Sequence, residues 1–310
     1  MVTSPVLLIV FNRLDTLEAV MSAVREAAPA RLFVAADGPR ANRPGEKENC
    51  GQVRDFVLRN VDWPCEVKTR FNEKNLGCGK AVSSAITWFF SEVEEGIILE
   101  DDCVPSHSFF AYCDELLERY HDDGRVMHIA GHNPLHSNRA GGASYYFARI
   151  QHCWGWASWR RAWKHYSFDV EGLEGFKAEK RLDAIFKRKI SRDYWQGIFE
   201  RMERHEIDTW DYQWVYSILK NDGLCVNPTR NLVSNIGFGG GGTHTFDADS
   251  PFSNQKRHEI GPLRHPKRIA PDMRLVERVN KVAFGLRHDP IGKMLRPIKK
   301  IVKILIGYGR

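Results

Sequence analysis

Gly96-Ile97-Ile98-Leu99-Glu100-Asp101-Asp102-Cys103-Val104-Pro105 is the stretch that decides the fold. Its apolar run, residues 97–99, reads as a strand of a parallel sheet, buried on both faces. The run stops at three adjacent carboxylates, Glu100, Asp101 and Asp102. Such a triplet repels itself, and it is tolerable either in water or beneath a cation. In open α/β sheets ligands bind at the carboxyl ends of the strands, and hard oxygen ligands suit Mg²⁺ or Mn²⁺. The triplet alone therefore leaves two readings open, a divalent-metal site that holds a diphosphate and a solvated acidic turn.

Working outward, the same alternation recurs. Residues 6–11 (Val-Leu-Leu-Ile-Val-Phe) form a buried first strand, which ends at Asn12 and Arg13. Residues 15–25 follow with helical spacing of Leu17, Val20, Met21 and Val24, and Asp15 stands where an N-cap is expected. Residues 32–36 give a second strand that ends in Asp37-Gly38-Pro39-Arg40, and residues 42–49 read as a polar loop. A helix over 53–60, a strand over 65–70 and a helix over 81–92 complete the approach to the triplet, with Asn72 to Lys80 between the last two. Strand–helix alternation with polar strand ends predicts a doubly wound, mostly parallel mixed sheet that binds a nucleotide. Neither GxGxxG after the first strand nor GxxxxGK[ST] is present, so the nucleotide would be held in another way.

Beyond the triplet, residues 108–120 are amphipathic, 126–130 read as a strand and 145–147 as extended. Residues 153–159, Cys-Trp-Gly-Trp-Ala-Ser-Trp, are either core or a stacking wall for sugar and base. Residues 167–192 read as a charged helical excursion at the surface. Trp210-Asp211-Tyr212-Gln213-Trp214 leads into a helical pattern, and residues 224–226 read as a last strand. Residues 233–245 hold the glycine run 239–242 and His244, a candidate substrate lid or a plain connector. His132 and His136 read as loop residues rather than ligands.

The chain has 310 residues, 43% of them apolar and 27% charged, enough for one large α/β domain with appendages. The net charge of +6 is concentrated toward the C-terminus, which argues against a general nucleic-acid binder. Seven cysteines without CxxC spacing indicate neither a zinc site nor a disulfide framework, and reduced thiols in a cytoplasmic protein are expected. No signal peptide and no apolar run of bilayer length is expected from this sequence. In residues 290–306, Ile291, Leu295, Ile298, Val302 and Leu305 share a helical face, and Lys293, Arg296, Lys299, Lys300 and Lys303 occupy the rest. Such a helix would lie on an anionic inner membrane face, or dock on the protein by its apolar stripe.

In this order the pieces resemble the GT-A glycosyltransferases, and more narrowly the N-acetylglucosaminyltransferase I and protein-O-mannose N-acetylglucosaminyltransferase group with its bacterial relatives. Four pieces carry the resemblance over residues 5–244. They are the first strand ending in Arg13, the Glu100-Asp101-Asp102 segment with its following aromatic helix, residues 129–134 with Trp154-Gly155-Trp156, and Trp210–Trp214, where Tyr212 stands in place of an Asp. The resemblance implies a GT-A catalytic domain over 1–246, with a nucleotide half 1–105 and an acceptor half 106–246, and a C-terminal extension over 247–310. It implies an inverting transferase that moves a sugar from a UDP-sugar, with GlcNAc or a related hexose suggested, to a glycan or lipid-linked acceptor in surface polysaccharide synthesis. Asp102 would ligate Mn²⁺ or Mg²⁺, Glu100 would face the ribose, Asp101 the donor sugar, and Arg13 and Asp37 the nucleotide. Phe11, Asn75, Lys80 and His244 complete the expected donor side; Trp154, Trp156 and Trp210 the acceptor side.

The chemistry agrees with these roles. A metal on Asp102 would neutralise the leaving diphosphate, and inversion needs one base on the acceptor face. Asp211, between tryptophans, is the candidate base, with a plain helix cap as its alternative and Asp208 as its rival. A sugar-1-phosphate nucleotidyltransferase and a non-catalytic nucleotide-sugar-binding membrane-associated protein are the other classes. Deletion of residues 290–310 is expected to release the protein from anionic vesicles in a sedimentation assay; if neither form binds vesicles, the tail docks on the protein instead.

Overall fold

The structure is a computed structural model that describes residues 2–135, 140–239 and 249–286. His136, His244, the glycines at 240–242 and the basic tail lie outside the described residues. Eight strands form one sheet: β1 (Val6–Val10), β2 (Arg31–Ala36), β3 (Glu66–Phe71), β4 (Glu95–Glu100), β6 (Val126–Ala130), β7 (Tyr145–Ala148), β8 (Trp156–Trp159) and β9 (Leu224–Pro228). Their order is β3-β2-β1-β4-β8-β6-β9-β7. The first four run parallel, β8 is antiparallel to β4 and β6, β9 is parallel to β6, and β7 closes the edge antiparallel to β9. The mixed, doubly wound α/β sheet expected from the alternation is therefore present. A small second sheet pairs β5 (Cys103–Pro105) with β10 (Val233–Asn235).

The buried runs have a simple cause. Successive residues of β1 face opposite sides: Val6, Leu8 and Val10 join one core, while Leu7 and Ile9 join another. On the first side lie α1 (Leu14–Ala27), α2 (Glu46–Arg59) and α4 (His107–Arg119). On the second lie α3 (Cys78–Glu92), the short α5 (Arg160–Trp163) and α9 (Asp211–Lys220). A strand covered on both faces must be apolar at every position, which is why no alternation shows in the sequence. The packing is close where α3 crosses the start of β4, because a Cβ on Gly96 would collide with the Phe89 ring.

Several expectations change. The first helix is capped by Arg13 backbone, and Asp15 sits inside its first turn rather than capping it. Residues 42–49 are partly helical, since α2 already begins at Glu46. The stretch 167–192 is not a surface excursion. It holds α6 (Leu173–Ala178), α7 (Arg181–Ile185) and the start of α8 (Lys189–Glu203), and these bury Leu173, Phe176, Leu182 and Ile185 with Trp195 in a third core. The start of the C-terminal extension packs into that same core, because α10 (Met273–Ala283), capped by Asp272, contributes Leu275, Val276 and Val279. β10 follows the expected last strand. Among the described residues no helix is long and apolar enough to cross a membrane.

The tryptophan-rich stretch resolves toward core. Trp156 and Trp159 are fully buried on β8, and Trp156 stacks on Trp210 at 5.5 Å and on His128 at 4.9 Å. His128 Nε2 donates to the His152 carbonyl at 3.1 Å, and His128 Nδ1 accepts from Trp214 Nε1 at 3.2 Å. Both ring nitrogens are thus committed to the neutral form. Burial lowers the His128 pKa from 6.5 to about 3. The unfolded chain takes up this proton near pH 6.5 and the folded chain does not, so the stabilisation present above 6.5 is lost as pH falls toward 3. Urea titrations at successive pH values are expected to show stability declining through that window. His128→Gln should reduce the slope by about one proton, and an unchanged slope would remove His128 as its source.

Candidate functional site

β1 and β4 lie side by side, with Ile9 opposite Glu100, and the chain leaves them in different directions. The crevice beyond their carboxyl ends is where a doubly wound sheet takes its ligand. The acids meet their counter-ion there. Arg13 Nη2 forms an ion pair with Asp101 and a second with Asp102 at 2.9 Å. The Phe11 backbone N–H donates to Asp101 Oδ2 at 3.0 Å, and the Cys103 thiol to Asp102 Oδ1 at 3.2 Å. Asp101 is 3% exposed and Asp102 6%. Burial alone would lower the Arg13 pKa, but the charges of Asp101 and Asp102 and their hydrogen bonds raise it.

Glu100 is half-buried and differs from its neighbours. Burial first, then the charges of Asp102 and Asp101, push its pKa up to about 8, and no hydrogen bond opposes the shift. Burial pushes Asp101 up to about 6, with Arg13 opposing. With Glu100 largely protonated at neutral pH, Asp101 and Asp102 face one guanidinium, which leaves a smaller excess of negative charge over the crevice. The acids are therefore not a solvated turn.

Two cavities meet at this cluster. The first, about 220 Å³, is lined by Phe11, Asn12, Arg13, Asp37, Asn75 and Glu100 among others. The second, about 650 Å³, holds Arg13, Glu100 and Asp102 together with Trp154, Trp210 and Asp211. Arg13 and Glu100 line both. Asp211 is the first residue of α9 and not its cap, which is Trp210. Its Oδ1 accepts from Thr209 Oγ1 at 2.5 Å.

Other candidates are placed differently. Asp37 lines the first cavity, but its carboxylate accepts from Gly38 N, Asn72 Nδ2, Asn75 Nδ2 and Leu76 N, so it fixes the 72–76 loop. A Cβ on Gly38 would strike the Lys74 backbone, which is why the turn after Asp37 needs glycine. Lys80 is exposed on α3 and lines a separate groove with Asp208 and His205, away from Arg13. Asp208 accepts from Cys78 N at 3.1 Å and Gly79 N at 2.8 Å, so it caps α3 rather than the helix that follows it. Trp156 is fully buried and Trp210 is 3% exposed, so both serve chiefly as core; Trp154 alone of the three is half-buried.

Some participants carried no sequence signal. Arg40 and Asn12 both bond Glu46, and Arg40 lies over the Phe11 ring at 5.5 Å, forming a wall from a stretch that reads as polar loop. Gly237 is another. Ile236 N donates to the Asp102 carbonyl at 2.9 Å, and a Cβ on Gly237 would collide with the Asp102 carboxylate and Arg13 Nη1. Among the described residues no three His, Cys, Asp or Glu side chains converge as a metal site.

No family model and no curated protein matches the chain. Among solved structures it is similar to HddC from Yersinia pseudotuberculosis in complex with GMP-PN, at 12% identity and TM-score 0.32, over 51% of this chain and 78% of that one. A second HddC structure aligns at 12% identity and TM-score 0.34, over 56% of this chain and 86% of that one. UDP-glucose pyrophosphorylase complexed with UDP-glucose aligns at 10% identity and TM-score 0.27, over 48% and 64% of the two chains. Each likeness spans about half of this chain, and at these TM-scores none bears on its chemistry.

Arg13 is the only cation bonded to Asp101 and Asp102 among the described residues. Arg13→Met is expected to destabilise the fold by about 3 kcal/mol in urea unfolding, the cost of stranding buried carboxylates. A change within about 0.5 kcal/mol, the scale of an ordinary surface substitution, would show that water already compensates the acids.

Proposed function

We propose that the chain is a nucleotide-sugar-dependent glycosyltransferase, with the nucleotide in the smaller cavity and the acceptor in the larger one. One observation carries the reading. Arg13 and Glu100 form the shared wall of the smaller cavity and of the larger one, which also contains Asp211. A donor that spans this wall would set its diphosphate beside the acids and Arg13, with its sugar turned toward Asp211. Arg13 Nη1 is buried without a partner and is a donor suited to a phosphate oxygen. Asp211 would take the acceptor's hydroxyl proton in an inverting displacement, while Thr209 orients its carboxylate.

Mn²⁺ or Mg²⁺ belongs to the proposal. Asp101 and Asp102 outnumber Arg13, and a bound divalent cation would draw the proton from Glu100, so the cluster suits such a cation; Asp102 would be its one protein ligand, the diphosphate supplying others. When bound, it would act as a Lewis acid on the leaving diphosphate. UDP, a hexose or N-acetylhexosamine donor and a glycan or lipid-linked acceptor are the partners proposed, with the basic tail at an anionic membrane on the cytoplasmic side.

Sugar-1-phosphate nucleotidyl transfer is the second reading, since the same crevice at the carboxyl ends of a doubly wound sheet would hold a nucleotide and a sugar phosphate. Against it, only Phe11, Asn12 and Arg13 separate β1 from α1, too few for the glycine-rich, Arg- or Lys-bearing loop expected of that class. Two assays separate the readings. UDP-sugars with Mn²⁺ are expected to raise the melting temperature and to release UDP slowly. UTP with a sugar 1-phosphate is expected to yield no pyrophosphate, and pyrophosphate release would establish the second reading. Asp211→Asn should keep donor binding and lower turnover at least about 100-fold, the scale of a missing general base; retained turnover would remove Asp211 from that role.

A further inference from the structure

A third cavity, about 190 Å³, opens on the far side of Asp211 and shares Cys153, Trp154, Asp211 and Tyr212 with the large one. Its walls are mostly aromatic, with Trp195 fully buried and Phe252 and Phe284 half-buried. Besides Asp211, His132 and Tyr212, the polar residues of the lining are Gln151 and His152. Gln151 is 4% exposed and His152 7%, and neither Gln151 Oε1 nor His152 Nε2 has a hydrogen-bond partner. Gln151 is held in place because its Nε2 donates to the Asp211 carbonyl at 3.2 Å. A buried polar atom left unpaired costs about 1–3 kcal/mol, so each of the two calls for a partner, which a water or a ligand can supply.

We propose that this cavity binds a neutral acetamido sugar of the acceptor, the amide N–H donating to Gln151 Oε1 and the amide carbonyl accepting from His152 Nε2–H. The inference rests on the transferase reading, and it adds the acceptor's class. The argument is one of matching chemistry. An acetamido group presents one donor, one acceptor and a methyl, and Gln151 and His152 add one acceptor and one donor-capable nitrogen to a lining of aromatic side chains. Burial lowers the His152 pKa to about 3, so the ring is neutral at physiological pH. An anionic sugar would meet no Lys or Arg among the described lining residues and would face the Asp211 carboxylate. A hydrocarbon chain would leave both polar atoms unpaired.

Saturation-transfer NMR on the full chain with UDP present tests the proposal, with N-acetylglucosamine, N-acetylgalactosamine, glucose, galactose and glucuronate as probes. The acetamido sugars are expected to bind about tenfold tighter than the plain hexoses, with the methyl most strongly saturated. Gln151→Leu and, separately, His152→Phe should erase that preference in protein that still melts cooperatively. Equal binding of glucose and N-acetylglucosamine by the wild-type chain, or tightest binding of glucuronate, would overturn the proposal without any variant. The two readings fail separately. If UDP does not bind but the acetamido preference is present, the transferase reading falls and the cavity assignment stands. If UDP binds and no preference appears, only the cavity assignment falls.

Discussion

The ion pairs of Arg13 with Asp101 and Asp102 are the constraint on which the rest of the site depends. A strand buried on both faces cannot end in carboxylates that no cation compensates. The compensating cation comes from the neighbouring strand's end, so the parallel register of β1 against β4 is a precondition of the charge balance. Glu100 is left outside the pairing, and its pKa is raised first by burial and then by the charges of Asp102 and Asp101. A site that is short of positive charge before any ligand arrives is suited to one that brings cations or consumes charge.

Much of the fold was legible because the parallel half of the sheet announces itself. Residues 97–99 and 6–10 are apolar throughout, and only a strand covered on both faces needs that. The charge cluster was visible as a triplet, but Arg13's role as its direct partner was not, since ion pairing across adjacent strands leaves no trace in local pattern. The sequence misled where one residue type serves two ends. Trp156 and Trp210 suggested a stacking wall and are core, because the second face of the sheet is filled by indoles rather than aliphatic side chains. Asp37 suggested a base contact, yet the 72–76 loop uses up its carboxylate. Asp208 suggested a rival base, and its carboxylate caps a helix remote in sequence. In each case the deciding partner is distant along the chain, where periodicity has no reach.

The residues around Asp211 show how packing and chemistry share one element. α9 fills the second core with Trp214 and Ile218 and the third with Val215 and Leu219. Its first residue is therefore held from two sides, and the cavities on either flank of Asp211 inherit rigid walls from those cores.

The glycine at 237 has a consequence for the order of folding. Ile236 and Gly237 reach the acids only because β10 pairs with β5, Asn235 standing opposite Cys103. That pairing joins segments from opposite halves of the chain, and contacts of such long separation close late, after local strands and helices have formed. The acidic cluster would thus be framed first by β1 and β4 and roofed last by β10. A nascent chain halted before β10 would hold the charges without their cover, and Asp102 would stay open to solvent until synthesis passes residue 237.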